Sequence, residues 1–374
     1  MNPTLAPGEE QFRQDVAEFL ASREPVDGFF WHEDEHNEAT RRLYRELGER
    51  GWLSLAWPAA AGGRGLPPVY EFILWNEMAY ARAARPPLGS GIVAKTIIAY
   101  GTDEQRERFL PGLRAGTTFF SLGYSEPEAG SDLGGVRTRA VRQGDVYVLN
   151  GEKRWTSGGH RADYLWVLCR TGTTESHSRG LTLVIVDRLS PGISIAPIPA
   201  LDGERFNEVR FDDVEVPVAN RVGEEDGAWT IMVESLATER HVQFSPKRVQ
   251  RDFEELVALV RRTGRQDDPI VRAELADLAV ELAEVEALSL LMLAAIQRGD
   301  AGVVEAACNK LAGSECAQRI ARAAVDLCGV DALERGTPME FLWRQSVSES
   351  IGGGTSEVMR GLVARVALGL GAKR

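Results

Sequence analysis

The stretch Leu122-Gly-Tyr-Ser-Glu-Pro-Glu-Ala-Gly-Ser-Asp-Leu-Gly-Gly135 puts hydroxyls, carboxylates and several glycines directly after a run of β-forming residues. Exposed backbone donors beside hydroxyls suit the rim of a polar cofactor, although an ordinary Gly/Pro turn has the same composition. In Asn150-Gly-Glu-Lys-Arg-Trp-Thr-Ser-Gly-Gly159 an indole lies beside two hydroxyls. The ring could cover a flat heterocycle while the hydroxyls bond its edge; the alternative is a core Trp at a domain seam. The third stretch, Ile351-Gly-Gly-Gly-Thr-Ser-Glu-Val-Met-Arg360, is a glycine loop leading into helical sequence. Free N–H groups at a helix start, with Thr355 or Ser356 capping, make an anion site suited to a pyrophosphate. It is neither a Rossmann fingerprint nor a P-loop, because no strand precedes it and no Lys follows in register.

The elements around these stretches change character twice along the chain. Phe12, Val16, Phe19 and Leu20 recur at helical spacing, as do Leu43, Tyr44 and Leu47 ahead of Gly51. Residues 69–84 and 102–113 read as further helices, with Asp103 and Glu104 near the positive end of the second. From Thr117 short β-type runs alternate with Gly, Asp, Asn and Pro, and both Gln143-Gly-Asp145 and Asn150-Gly151 read as hairpin turns. Helical spacing returns after Gly227 in three blocks, 228–260, 270–298 and 303–328. The expected fold is therefore α+β and multidomain. An N-terminal helical domain (1–116) precedes a small central antiparallel β-barrel or sandwich (117–223) and a C-terminal four-helix bundle (224–374).

Composition narrows the function. The 55 Asp and Glu outnumber the 43 Lys and Arg, for a formal net charge of -12. That argues against nucleic acid, whose recognition needs concentrated positive charge, but leaves room for a phosphorylated small ligand. The four cysteines show no CxxC spacing and read as reduced, mostly buried thiols. His32 and His36 have no companions at metal-ligating spacing, so no metal site is expected. Neither a leader sequence nor an uncharged stretch of bilayer-spanning length is visible, so a cytoplasmic protein without membrane insertion is expected.

Taken in order, the three chemical stretches resemble the acyl-CoA dehydrogenases. So do Gly101-Thr-Asp-Glu-Gln-Arg-Glu-Arg-Phe-Leu-Pro111 and Phe211-Asp-Asp-Val-Glu-Val-Pro217, and the resemblance spans nearly the whole chain. It implies bound FAD and α,β-dehydrogenation of an acyl-CoA to the trans-2-enoyl-CoA, with electrons passing to a separate acceptor protein. By matching position, Leu122, Tyr124 and Ser125 are expected along the flavin ring, with Gly130 and Ser131 beyond them. Trp155, Thr156 and Ser157 are expected at its other edge, and Ser131 also faces the thioester chain or the cofactor phosphates. Gly354, Thr355 and Glu357 match positions that touch the ADP half of FAD.

Abstraction of an α proton needs a placed, partly desolvated carboxylate. Many family members carry it just before the final Gly-Thr-Ser, where this chain has Gly353, which keeps only an N–H for the thioester oxygen. A second placement in the family is a Glu just before an Arg on the first long helix of the last domain. It is matched here by Glu239-Arg240, so Glu239 is the expected base and Arg240 a substrate or positioning group.

The Arg-x-x-Phe-Gly pattern by which a neighbouring subunit grips FAD is missing from Arg261-Arg-Thr-Gly-Arg-Gln-Asp-Asp-Pro-Ile270. The usual Gln-x-x-Gly-Gly is degraded at 326–330. A dimer or tetramer is expected, either of one chain or with a second, related one. The resemblance leaves open a flavin monooxygenase or oxidase of the same architecture, and a non-catalytic subunit of a heteromeric enzyme.

Overall fold

The computed structural model describes residues 5–23, 34–238 and 240–370. In chain order, α1 (Pro7–Ala21), α2 (Asp34–Glu49), α3 (Pro68–Tyr80), α4 (Ala94–Tyr100) and α5 (Asp103–Ala115) lead into the strands. These are β1 (Phe120–Gly123), β2 (Arg139–Gln143), β3 (Val146–Lys153), β4 (Tyr164–Arg170), β5 (Leu181–Asp187), β6 (Ile193–Pro199), β7 (Arg205–Pro217) and β8 (Arg221–Val222). Then follow α6 (Ala228–Thr238), α7 (Arg240–Gln243), α8 (Pro246–Arg262), α9 (Pro269–Gln297), α10 (Val303–Cys328), α11 (Pro338–Glu349) and α12 (Ser356–Val366). The chain divides into two compact units, one of residues 1–25, 68–85 and 240–374, the other of residues 26–67 and 86–239.

The second unit is built on an eight-stranded sheet of order β6-β7-β3-β2-β4-β5-β8, with β1 alongside β4. Most pairings are antiparallel, as expected; β1 and β2 lie parallel to β4. The β2–β3 hairpin comes between them in sequence, giving the chain the crossover that a parallel pair requires. Both faces of β4 and β5 are buried. Trp166, Leu168, Leu183 and Ile185 join α4, α5 and α6 residues in one core, while Leu165, Val167, Val184 and Val186 pack against Tyr147, Leu149, Phe211 and Val214 in another. Strands buried on both sides read as unbroken apolar runs, and Leu165–Cys169 and Leu181–Val186 do.

Gln143-Gly-Asp145 is the expected turn, joining β2 to β3 with Gly144 at φ 63. Asn150-Gly151 is not a turn. It lies within β3 at an irregularity in the pairing with β7, between Leu149 and Gly151. An Asn-Gly pair favours left-handed backbone, and a bulge uses that as readily as a hairpin does. Gly151 has φ +148, and a Cβ there would stand 2.7 Å from the Thr138 Cα.

The first unit holds the bundle. Val249, Leu256 and Leu259 of α8, Leu278 and Val285 of α9, Cys316 and Ile320 of α10 and Leu342 of α11 share one core. Three of these helices start with a capping oxygen followed by proline. The caps are Ser245, Asp268 and Thr337, accepting from Lys247, Ile270 and Glu340 N–H groups, and Pro246, Pro269 and Pro338 follow. The expected single block over 228–260 is broken for this reason. Pro246 cannot donate an N–H and holds Ser245 extended, at φ -70 and ψ 128, so a bend separates α7 from α8. Among the described residues no helix is long and apolar enough to cross a membrane.

Gly151→Ala should destabilise the protein by about 1–3 kcal/mol through backbone strain at the bulge. Chemical denaturation followed by circular dichroism measures it, and an unchanged midpoint would show that the bulge tolerates a side chain.

Candidate functional site

Leu122, one residue before the end of β1, is half-buried against the core, and the chain leaves the sheet at Tyr124. The Tyr124 ring turns inward: its hydroxyl accepts from Trp166 Nε1 at 3.1 Å, and burial pushes its acidity well out of reach. What Tyr124 can present to a ligand is therefore backbone. Ser125 is half-buried, and its carbonyl accepts from Arg154 N–H at 2.8 Å. Gly130 and Ser131 are exposed, and the space around Gly130 is open.

Two residues that sequence reasoning gave no role hold this segment. Lys153, at the end of β3, is fully buried and donates to Glu126 Oε1 at 2.8 Å and to the Tyr124 carbonyl at 3.0 Å. Glu126 also accepts from Arg137 N–H at 2.7 Å and Thr138 N–H at 2.8 Å. Burial pushes the Glu126 carboxyl up, but Lys153 and these donors pull it further down, leaving it below its ordinary 4.5. Both residues stand inside the quoted motifs, but Glu128, Asp132, Glu152 and Arg154 stand there too, so charge alone could not have singled them out.

Residues 155–157 are fixed as well. Trp155 has φ 60, is 55% exposed and meets Phe206 edge-on at 5.9 Å. The fully buried Asn207 accepts from Thr156 N–H at 3.0 Å through its carbonyl and returns its side-chain N–H to the Thr156 carbonyl at 2.8 Å. Ser121 donates to the Ser157 carbonyl at 2.5 Å. The Thr156 hydroxyl is buried and has no hydrogen-bond partner among the described residues. A buried hydroxyl left open beside an exposed indole fits a flat, hydrogen-bonding ring system and is hard to explain as core packing.

The glycine loop belongs to the other unit. Gly353 and Gly354 take left-handed φ values of 69 and 99. Thr355 caps α12, its hydroxyl accepting from Val358 N–H at 3.1 Å. Among the described residues no hydrogen bond engages the N–H groups of Gly353, Gly354 or Thr355, so all three remain available to an anion or a carbonyl oxygen. The exposed Glu357 carboxyl is held low by its own N–H and by the Thr355 hydroxyl. Glu239, the expected base, lies outside the described residues, as does the side chain of Arg240. His32 lies outside them too, and among the described residues no cluster of His, Cys, Asp or Glu could hold a metal ion.

Comparison with known proteins gives this arrangement its class. The acyl-CoA dehydrogenase N-terminal, middle and C-terminal domain models match residues 6–117, 121–214 and 226–368. Acyl-CoA dehydrogenase FadE26 of Mycobacterium tuberculosis is 36% identical, covering 99% of this chain and 99% of its own. The solved Tcur3481-Tcur3483 steroid ACAD superposes with a TM-score of 0.91 at 30% identity, covering 100% of both chains. The ChsE4-ChsE5 complex from Mycobacterium tuberculosis does so with a TM-score of 0.88 at 33% identity, again over 100% of both. The chain belongs to the acyl-CoA dehydrogenase family. It is an oxidoreductase of that family, whose members are FAD flavoproteins.

Lys153→Met should cost about 3–5 kcal/mol at neutral pH, because it strands a buried carboxylate, and adding Glu126→Gln should recover most of the loss. Since the Glu126 value is depressed in the folded state, its contribution is complete above pH 4.5 and is lost as pH falls through the lower, folded-state value. The gap between the native protein and Lys153→Met should therefore narrow below pH 4.5. Melting curves across pH read this, and a single variant as stable as the native protein would remove the pair from its anchoring role.

Proposed function

We propose that this chain dehydrogenates an acyl-CoA between its α and β carbons to the trans-2-enoyl-CoA, with Glu239 as the base. The observation that carries this reading is Gly353. At the position where many relatives hold their carboxylate, this chain has left-handed backbone and no side chain, so the base has to come from elsewhere. Glu239, followed by Arg240, is the carboxylate that the family's second placement supplies.

In this reading Leu122, Tyr124 backbone, Ser125, Gly130 and Ser131, with Trp155, Thr156 and Ser157, hold the flavin, while Gly354, Thr355 and Glu357 hold its ADP half. When bound, FAD would supply the hydride acceptor for the β carbon. Glu239 takes the α proton, the Gly353 N–H stabilises the charge developing on the thioester oxygen, and Arg240 and Ser131 help seat the substrate. The division at residues 116 and 223 into N-terminal, central and C-terminal domains belongs to the same reading. One structural neighbour is named for a steroid, and the acyl group proposed here is likewise carried on a ring system.

Glu239→Gln should lower kcat by about 10²–10⁴-fold with the flavin content unchanged. The substrate would be the member of an acyl-CoA panel, steroid thioesters included, that bleaches the flavin anaerobically. Full activity in the variant would reject Glu239.

We further propose that the chain assembles with a second, related subunit and leaves electron transfer to a separate protein. Two structural neighbours are named as two-chain assemblies. In the 261–270 segment, where a subunit-bridging cofactor grip is absent, Arg265 is committed within the chain, donating to the Leu327 carbonyl and, at 2.8 Å, to Asp268. Expressed alone, the chain should be under-loaded with flavin. Stoichiometric flavin in a homo-oligomer, measured by sizing and absorbance, would overturn this.

A further inference from the structure

The left-handed backbone of Gly353 is only half of what keeps a side chain from that position. A Cβ built on Gly353 would stand 2.9 Å from Phe244 Cζ and 3.8 Å from both Cε atoms, so the ring meets the glycine end-on. Phe244 lies in the bend between α7 and α8, and that bend is tied down on two sides. Asn309 of α10, 1% exposed, donates its side-chain N–H to the Phe244 carbonyl at 3.1 Å. Ser245 donates to Asn76 Oδ1 at 2.5 Å while capping α8. The ring is thus held by its own backbone in the volume a residue 353 side chain would otherwise fill.

We infer that Phe244 is a specificity-determining residue whose ring replaces the missing 353 side chain as the wall beside the thioester, restricting the substrate to acyl-CoAs unbranched at the α carbon. This rests on the reading that the Gly353 N–H bonds the thioester oxygen. A hydrogen bond of about 2.9 Å and an N–Cα bond of about 1.46 Å set that oxygen roughly 4 Å from the Gly353 Cα. The ring tip stands 2.9 Å from the Cβ position of the same residue, so the oxygen and the ring flank one Cα. A substituent on the carbon next to the thioester competes with the ring for that space.

The test measures binding of 3-cyclohexylpropanoyl-CoA and 2-methyl-3-cyclohexylpropanoyl-CoA by calorimetry to the flavin-loaded native protein, Phe244→Ala and Phe244→Leu. The affinity ratio should shift toward the branched thioester by about tenfold or more in Phe244→Ala, the effect of one methyl group in an apolar pocket, and by less in Phe244→Leu. Phe244→Leu keeps most of the packing, so it answers the question if Phe244→Ala folds poorly. A second reading is purely structural: Gly353→Ala should lower the melting temperature less in the Phe244→Leu background than in the native one. An unchanged affinity ratio, or no binding of either thioester to any of the proteins, overturns the inference. Glu239→Gln should keep the native ratio. If that variant stays fully active while Phe244→Ala shifts the ratio, the base assignment fails and the wall assignment stands.

Discussion

The ion pair between Lys153 and Glu126 is the contact on which the sheet-borne half of the site depends. Tyr124 and Ser125 follow β1, and Trp155 to Ser157 follow β3, but these strands are not neighbours: β1 pairs with β4, and β3 lies between β7 and β2. No strand ladder therefore fixes the distance between the two segments. The buried ammonium does, gripping the Tyr124 carbonyl and the Glu126 carboxylate at once, and the Arg154 N–H bond to the Ser125 carbonyl adds one backbone link. A buried pair is costly to desolvate, and it persists where it is fully hydrogen-bonded, as Glu126 is by Arg137 and Thr138.

A second buried cation continues the job where the segment rejoins the sheet. Arg170, at the end of β4, donates to the Val136 and Gly134 carbonyls at 2.7 Å each, and to the Thr173 and His177 carbonyls at 3.0 and 2.9 Å. Its planar fork satisfies carbonyls from two separate loops, which a lysine could not do in one plane. The exposed part of the segment, Pro127 to Asp132 apart from Ala129, hangs between these two anchors. A loop with both feet in the core can offer Ser131 and Gly130 to a ligand without ordering the whole segment on binding.

These anchors also mark where sequence reading stopped. The helices of the bundle were legible because Leu275, Leu278, Leu282 and Val285 repeat at helical spacing, and the central strands because apolar runs end at Gly, Asp and Asn. The bulge at Gly151 was not, because Asn-Gly describes a backbone conformation and leaves the surrounding hydrogen-bond pattern undetermined. The bend at Ser245 was hidden by apolar spacing that continues across it, although Ser-Pro already carried the stop. Lys153, Glu126 and Arg170 were illegible as anchors for a different reason. A charged residue in a sequence reads as solvated, and its burial here involves distant partners: Lys153 meets Glu126 across 27 residues and Arg170 meets Gly134 across 36. The candidate ligand-facing residues were named from the family resemblance. Their fixation by Asn207 and Ser121 joins residues 51 and 36 positions apart, which no local pattern shows.

The glycine loop follows the same logic with different means. Its N–H groups are useful only if they point in a fixed direction, yet glycine is the residue least able to hold one. The constraint comes from the ends. Ser356 N–H bonds the Ser350 carbonyl at 2.9 Å, Ile351 and Gly352 N–H groups both bond the Ser348 carbonyl at 3.0 Å, and Thr355 caps α12. The helix leading into the loop is held by Glu349, whose carboxylate accepts from Arg248 of α8 at 2.5 Å. Burial alone would raise that carboxyl, but Arg248 holds it low, so the pair stays charged inside the protein. Helix α8 begins at the bend that places Phe244 against Gly353, so one rigid element sets both the start of the loop and the ring that faces it. Donors fixed in this way need no reorganisation when charge develops on a bound oxygen, and that is the condition under which a single N–H contributes most to a transition state.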